Sequence, residues 1–99
     1  TSVVFDNKMW VIGGYSGSYN NDVWYSSNGS SWTRATSNAG WTGRSAHTSV
    51  VFDNKMWVIG GWNGSRYNDV WYSSNGASWT QATSSAPMPS AETRAPKPK

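Results

Sequence analysis

Apolar residues in this chain come in short bursts of three or four, divided by clusters of Gly, Asn, Asp and Ser. Residues 1–5 (TSVVF) form a β-branched and aromatic run, and Asp6-Asn7 supplies a tight turn after it. Residues 9–12 (MWVI) read as a second strand, ended by Gly13-Gly14, where a missing Cβ permits unusual backbone angles or close approach. Residues 15–21 are polar and small, which predicts a loop. Residues 22–26 (DVWYS) predict a third strand, and Asn28-Gly29 predicts a type I′ hairpin turn. Residues 31–35 (SWTRA) give a fourth strand, and residues 37–47 carry the chain onward. No stretch shows a helical period with caps, so the fold class expected is all-β.

The pattern then starts again. Residues 1–14 recur unchanged as residues 48–61, and 1–36 differs from 48–83 at six positions: Tyr15/Trp62, Ser16/Asn63, Tyr19/Arg66, Asn20/Tyr67, Ser30/Ala77 and Arg34/Gln81. The chain is a repeat of two units at an offset of 47 residues. Unit one with its linker spans 1–47 and unit two spans 48–83. Residues 84–99 hold all four prolines and predict a poorly ordered basic tail.

Four antiparallel strands repeating at about 40–50 residues match a β-propeller blade. Each unit has an aromatic, two apolar residues and a glycine pair (Trp10 to Gly14, Trp57 to Gly61), then Asp-Val-Trp (Asp22 to Trp24, Asp69 to Trp71). A Trp opens the fourth strand in both (Trp32, Trp79), and Arg44 and His47 lead unit two. In these residues the chain resembles the kelch family. The resemblance covers about 83 residues and departs at the end, where Ala91 and Arg94 replace Arg44 and His47 one unit later. Residues 26–32 (SSNGSSW) also look like the Asp-box turn of sialidase-type propellers. That pattern is one residue longer and has Asp where Asn28 stands, so a variant hairpin is the preferred reading.

A blade cannot cover both faces of its own sheet, and known propellers close with about four to eight blades. Two blades therefore imply closure by oligomerisation, six blades in a trimer or eight in a tetramer, or by further blades of a longer parent chain. Near-identical units favour rotational closure because each joint is equivalent. They also fit a recent duplication, selection for symmetry, or design. The chain begins at Thr1 directly in a strand pattern, as a processed product or an excised piece does.

Composition narrows the chemistry. There are no cysteines, one histidine and 8 tryptophans, so neither a disulfide nor a thiolate metal site is expected. The formal charge of +3 splits into +2 on residues 92–99 and +1 on the rest, too diffuse for a phosphate-binding surface. No apolar run approaches the roughly 20 residues of a membrane span. The reading therefore has no nucleic-acid or membrane partner and no cofactor. Galactose oxidase has kelch-like blades too, but its copper site needs His and Tyr ligands and a Tyr–Cys crosslink that this composition does not allow. No paired carboxylates or phosphate-cradling loop stand out, and an enzyme is not expected. Asn28 and Asn63 begin Asn-Gly-Ser sequons, compatible with secretion but common in such sequences, and localisation stays unassigned.

Six tryptophans (10, 24, 32, 57, 71 and 79) occupy repeated strand positions and predict packing between blades. Asp22 and Asp69 are expected to bond loop backbone, and His47 to make an internal hydrogen bond. In an up-and-down blade, the loop between strands two and three emerges on the same side as the linker to the next blade. That side gathers Tyr15, Tyr19, Trp41, Arg44, Trp62, Asn63, Arg66 and Tyr67, and four of the six differences between the units fall there. Aromatic and Arg side chains on loops of a rigid scaffold predict a recognition surface. The kelch resemblance implies a protein partner. Lectin-like glycan binding is the alternative, since aromatics stack on sugar rings and amides bond hydroxyls. A structural blade pair whose partner is itself is the third reading.

Overall fold

The computed structural model describes residues 1–87. It contains eight strands: β1 (Ser2–Phe5), β2 (Lys8–Tyr15), β3 (Tyr19–Ser26), β4 (Thr33–Thr36), β5 (Thr48–Phe52), β6 (Lys55–Trp62), β7 (Arg66–Ser73) and β8 (Thr80–Thr83). They form two four-stranded antiparallel sheets, β1 to β4 and β5 to β8, each in sequence order. The two blades expected from the repeat are present.

Several local expectations are corrected. Asp6 and Asn7 both have positive φ (52° and 59°), so the left-handed pair that a type I′ turn needs lies between β1 and β2. At Asn28-Gly29 only the glycine is left-handed, with φ 84°. That connection is held by side chains: Ser26 Oγ accepts from the Asn28 and Gly29 amides (3.2 and 2.8 Å). Asn28 Oδ1 accepts from the Ser30 and Ser31 amides, both at 2.9 Å. Short polar side chains can take over turn hydrogen bonds in this way. The fourth strand accordingly starts at Thr33 and not at residue 31, and the same bonds recur around Ser73 and Asn75.

The expected loop at 15–21 shrinks to 16–18, because β2 and β3 run on past the glycine pair. Gly13 and Gly14 lie inside the strand, at an irregularity of register between Ile12 and Gly14, with φ 60° and 120°. They bend the strand and do not end it. Within the expected tail, the Ala86 amide bonds the Asn68 carbonyl at 2.8 Å, so its first residues stay on blade two. Residues 88–99 of that expectation lie outside the described residues.

Side chains alternate between the two faces of each strand, and the two blades bury opposite faces. In blade one Trp10, Ile12 and Val23 are buried; in blade two it is Met56 and Val58. Their exact sequence counterparts on the other face of blade one, Met9 and Val11, are each 40% exposed. The core is thus one face of blade one laid on the reverse face of blade two, with Val3, Tyr25, Trp71 and Trp79 packed at its margin. The Trp10 indole sits on Gly76, where an added Cβ would overlap the ring. Trp10 Nε1 donates to the Phe5 carbonyl at 2.9 Å, satisfying its polar atom inside the core.

Candidate recognition surface

The linker between the blades is built into the structure as a strap. Along it the Ala39 amide donates to the Asn21 carbonyl (2.9 Å), and Arg44 donates through its amide to the Asn20 carbonyl (3.2 Å). The Gly14 amide donates to the Arg44 carbonyl (3.0 Å). Ser45 and Trp62 then exchange backbone bonds at 2.9 and 2.8 Å, which fastens the same strap to blade two. Gly43 lies against the Tyr19 backbone so closely that a Cβ would overlap it, and its carbonyl accepts from Asn63 Nδ2 at 3.0 Å. The strap therefore fixes the β2–β3 and β6–β7 loop ends relative to each other.

Its largest side chains point inward. Trp41 is 1% exposed and Arg44 0%, so neither belongs to the surface on which the sequence placed them. Trp41 packs edge-on against Trp79, with ring centroids 5.9 Å apart, and touches Gly13. The Arg44 guanidinium binds both carboxylate oxygens of Asp69 (2.6 and 3.0 Å) and the Gly60 carbonyl (2.9 Å). Its Nε and Nη2 close on Thr42 (3.0 and 3.1 Å), and the group stacks 4.5 Å from the Tyr67 ring. Asp69 also accepts from Trp71 Nε1 at 2.8 Å. Burial pushes the Asp69 carboxyl up, but the hydrogen bonds from Arg44 and Trp71, with the Arg44 charge, hold it below its usual range.

Asp69 was expected to bond loop backbone; its partners are side chains. Asp22 accepts from Trp24 Nε1 (2.9 Å), also a side chain, and has no ion-pair partner among the described residues. The sequence had one usable sign of the clamp. Arg44 stands once, between two copies of a repeated Asp, with Ala91 at its place one unit later, but no local spacing joins residues 25 apart.

His47, 5% exposed, makes the internal bond expected of it, donating from Nε2 to the Ile12 carbonyl at 2.7 Å. Burial lowers its pKa to about 4, helped by the positive charges of the Thr1 amine and Arg44, against the raising effect of that carbonyl bond. The ring is neutral at pH 7.

What remains outside is smaller than expected. Tyr15 (62% exposed) and Tyr19 (38%) pair across β2 and β3 with ring centroids at 4.9 Å. Trp62 is 37% exposed, and Arg66 also reaches solvent beside it in register. Asn63 and Tyr67 are half-buried, and Tyr67 donates its hydroxyl to Asn63 Oδ1 at 2.9 Å. Both polar ends of the Asn63 amide are thus engaged by the fold, and so is the nitrogen of that sequon. Among the described residues no three His, Cys, Asp or Glu side chains converge as a metal site would require, and no helix is long and apolar enough to cross a membrane.

The kelch motif model matches residues 1–38 and 43–84, covering both sheets and the clamp between them. The chain belongs to the kelch family. Its two sheets are kelch blades, and the strap runs from the end of the first matched motif into the start of the second, which holds Gly43, Arg44 and Ser45. No curated protein matches the chain.

Proposed function

We propose that this kelch chain is a non-enzymatic protein-interaction scaffold, completed by association with further copies, that offers its strapped loop ends to a protein partner. The observation that carries the reading is the exposed Tyr15–Tyr19 pair on the same end as Trp62 and Arg66, held by the linker strap. Rigid aromatics lose little conformational entropy on binding and are enriched, with Arg, where protein interfaces concentrate their energy. The two loops carry different side chains on otherwise matching blades, as a surface with a binding task would.

A glycan is the weaker occupant. Sugar hydroxyls need free amides near the aromatic ring, and the Asn63 amide beside Trp62 is spent on Gly43 and Tyr67. The test is selection of displayed peptides against the assembled protein, beside a glycan array. Selected peptides should lose about tenfold or more in affinity on Trp62→Ala or Tyr15→Ala, the loss expected of an anchor residue. Peptides indifferent to both changes, or ligands found on the array alone, would move the reading to another surface or to sugars.

A further inference from the structure

Each blade buries one face and leaves the other open, and the two open faces differ. Blade one leaves the Met9 and Val11 side, a groove of about 580 Å³ lined with Val4 and Trp32. Blade two leaves the side of Trp57, where Phe52 is 69% exposed and Val50 40%. These are the counterparts of the two surfaces already joined inside the chain: Met56 and Val58 on one side, Trp10 and Phe5 on the other.

We infer that the open face of blade one is the docking site for the open face of blade two of a second copy, with Trp57 seated on Gly29 as Trp10 is seated on Gly76. The inference rests on the self-association proposed above and specifies its joint. Gly29 is vacant ground for such a ring: it is exposed, whereas Gly76 is buried beneath Trp10. Trp57 keeps the internal geometry of its counterpart, since its Nε1 donates to the Phe52 carbonyl at 2.9 Å and its ring lies 5.1 Å from Tyr72. Trp10 makes the matching bond at 2.9 Å and the matching ring contact at 5.0 Å. Both halves of the joint thus exist in the shape the internal joint uses. The two halves are different surfaces, so the contact is head-to-tail, and such contacts make rings when their rotation closes.

The chain has no cysteine, so the joint can be read by pairing introduced ones. Inside the chain the Thr1 and Ser49 hydroxyls touch, and one repeat along, the equivalent pair is Thr48 of one copy and Ser2 of the next. Thr48→Cys chains mixed with Ser2→Cys chains should crosslink to each other through a short bis-maleimide, and neither should crosslink to itself. Thr1→Cys with Ser49→Cys in one chain is the internal control. Val11→Lys, at a position open to solvent in one copy, should reduce the particle to one chain by light scattering with its β-sheet circular dichroism retained. Multimers that crosslink only Ser2→Cys to Ser2→Cys, or that survive Val11→Lys, would overturn this joint while leaving self-association standing. A single-chain mass for the unaltered protein at every concentration would overturn both.

Discussion

Arg44 and Asp69 meet through two hydrogen bonds of 2.6 and 3.0 Å, with the Arg44 side chain 1% exposed and that of Asp69 12%. The pair ties the strap between the blades to the middle of β7. A buried guanidinium left without its carboxylate keeps its desolvation cost and loses the attraction that offset it, and breaking such pairs costs about 3–5 kcal/mol. Asp69→Asn and Arg44→Met should each lose stability of that order in urea denaturation. Asp22→Asn, its counterpart without a cation among the described residues, should lose about 1 kcal/mol or less, the value of an ordinary hydrogen bond. Equal losses at the two positions would show that the clamp is not what distinguishes them.

Acid should act on the strap in two windows. His47 has a folded pKa of about 4 against an ordinary 6.5, so the unfolded chain binds the extra proton and protonation favours unfolding. Its contribution is complete above pH 6.5, falls as the pH drops from 6.5 to 4, and levels off below. The size is on the order of 3 kcal/mol from the shift. Asp69, whose pKa is held below 3.8, adds a second loss only as the pH falls below that value. Thermal melts across pH 3–8 should show the first slope in the unaltered protein and not in His47→Gln. A slope that persists in that variant assigns it to other groups.

The blades were legible because a repeat fixes strand number, and because Asp-Val-Trp and the glycine pair locate the third and second strands. The site was less legible for a physical reason. Met9 and Met56 sit in identical sequence, yet one is 40% exposed and the other fully buried. Exposure here is set by where a blade stands in the array, which no local pattern records. Trp41 and Arg44 have no second copy to compare with, and the topology that brings the linker to the loop end does not record which way its side chains turn. The turn at Asn28 was misjudged because Asn-Gly serves equally well as a left-handed backbone pair and as a side-chain acceptor beside one glycine. Asp6-Asn7 took the left-handed pair instead.

That turn offers its own check. Asn28 Oδ1 satisfies two backbone amides and Asn75 Oδ1 does the same in blade two. Removing a side-chain acceptor of this kind costs about 0.5–2 kcal/mol at the comparable helix cap. Asn28→Ala and Asn75→Ala should each fall in that range, while Asp keeps the acceptor and most of the stability. A type I′ turn would respond differently. It needs the left-handed tolerance of Asn and not its oxygen, so Ser in place of Asn28 would then be as costly as Ala; here Asn28→Ser keeps a short side-chain acceptor and should keep much of the stability.

Gly76 and Gly29 separate the closed joint from the open one. Both are left-handed, φ 80° and 84°, so an Ala at either carries a similar backbone penalty of about 1 kcal/mol. At Gly76 the new methyl would also collide with the Trp10 indole, whereas at Gly29 its nearest neighbour is the Met9 methyl at 3.2 Å, the movable end of a flexible side chain. Overpacking a filled core costs about 1–3 kcal/mol more. At protein concentrations low enough to hold single chains, Gly76→Ala should therefore be the more damaging by about 2 kcal/mol in urea. As concentration rises the unaltered protein should gain stability from its joints, by mass action. Gly29→Ala should lose that gain, since it fills the seat meant for Trp57 of the next copy. If Gly29→Ala gains as much stability with rising concentration as the unaltered protein does, Trp57 has no seat there.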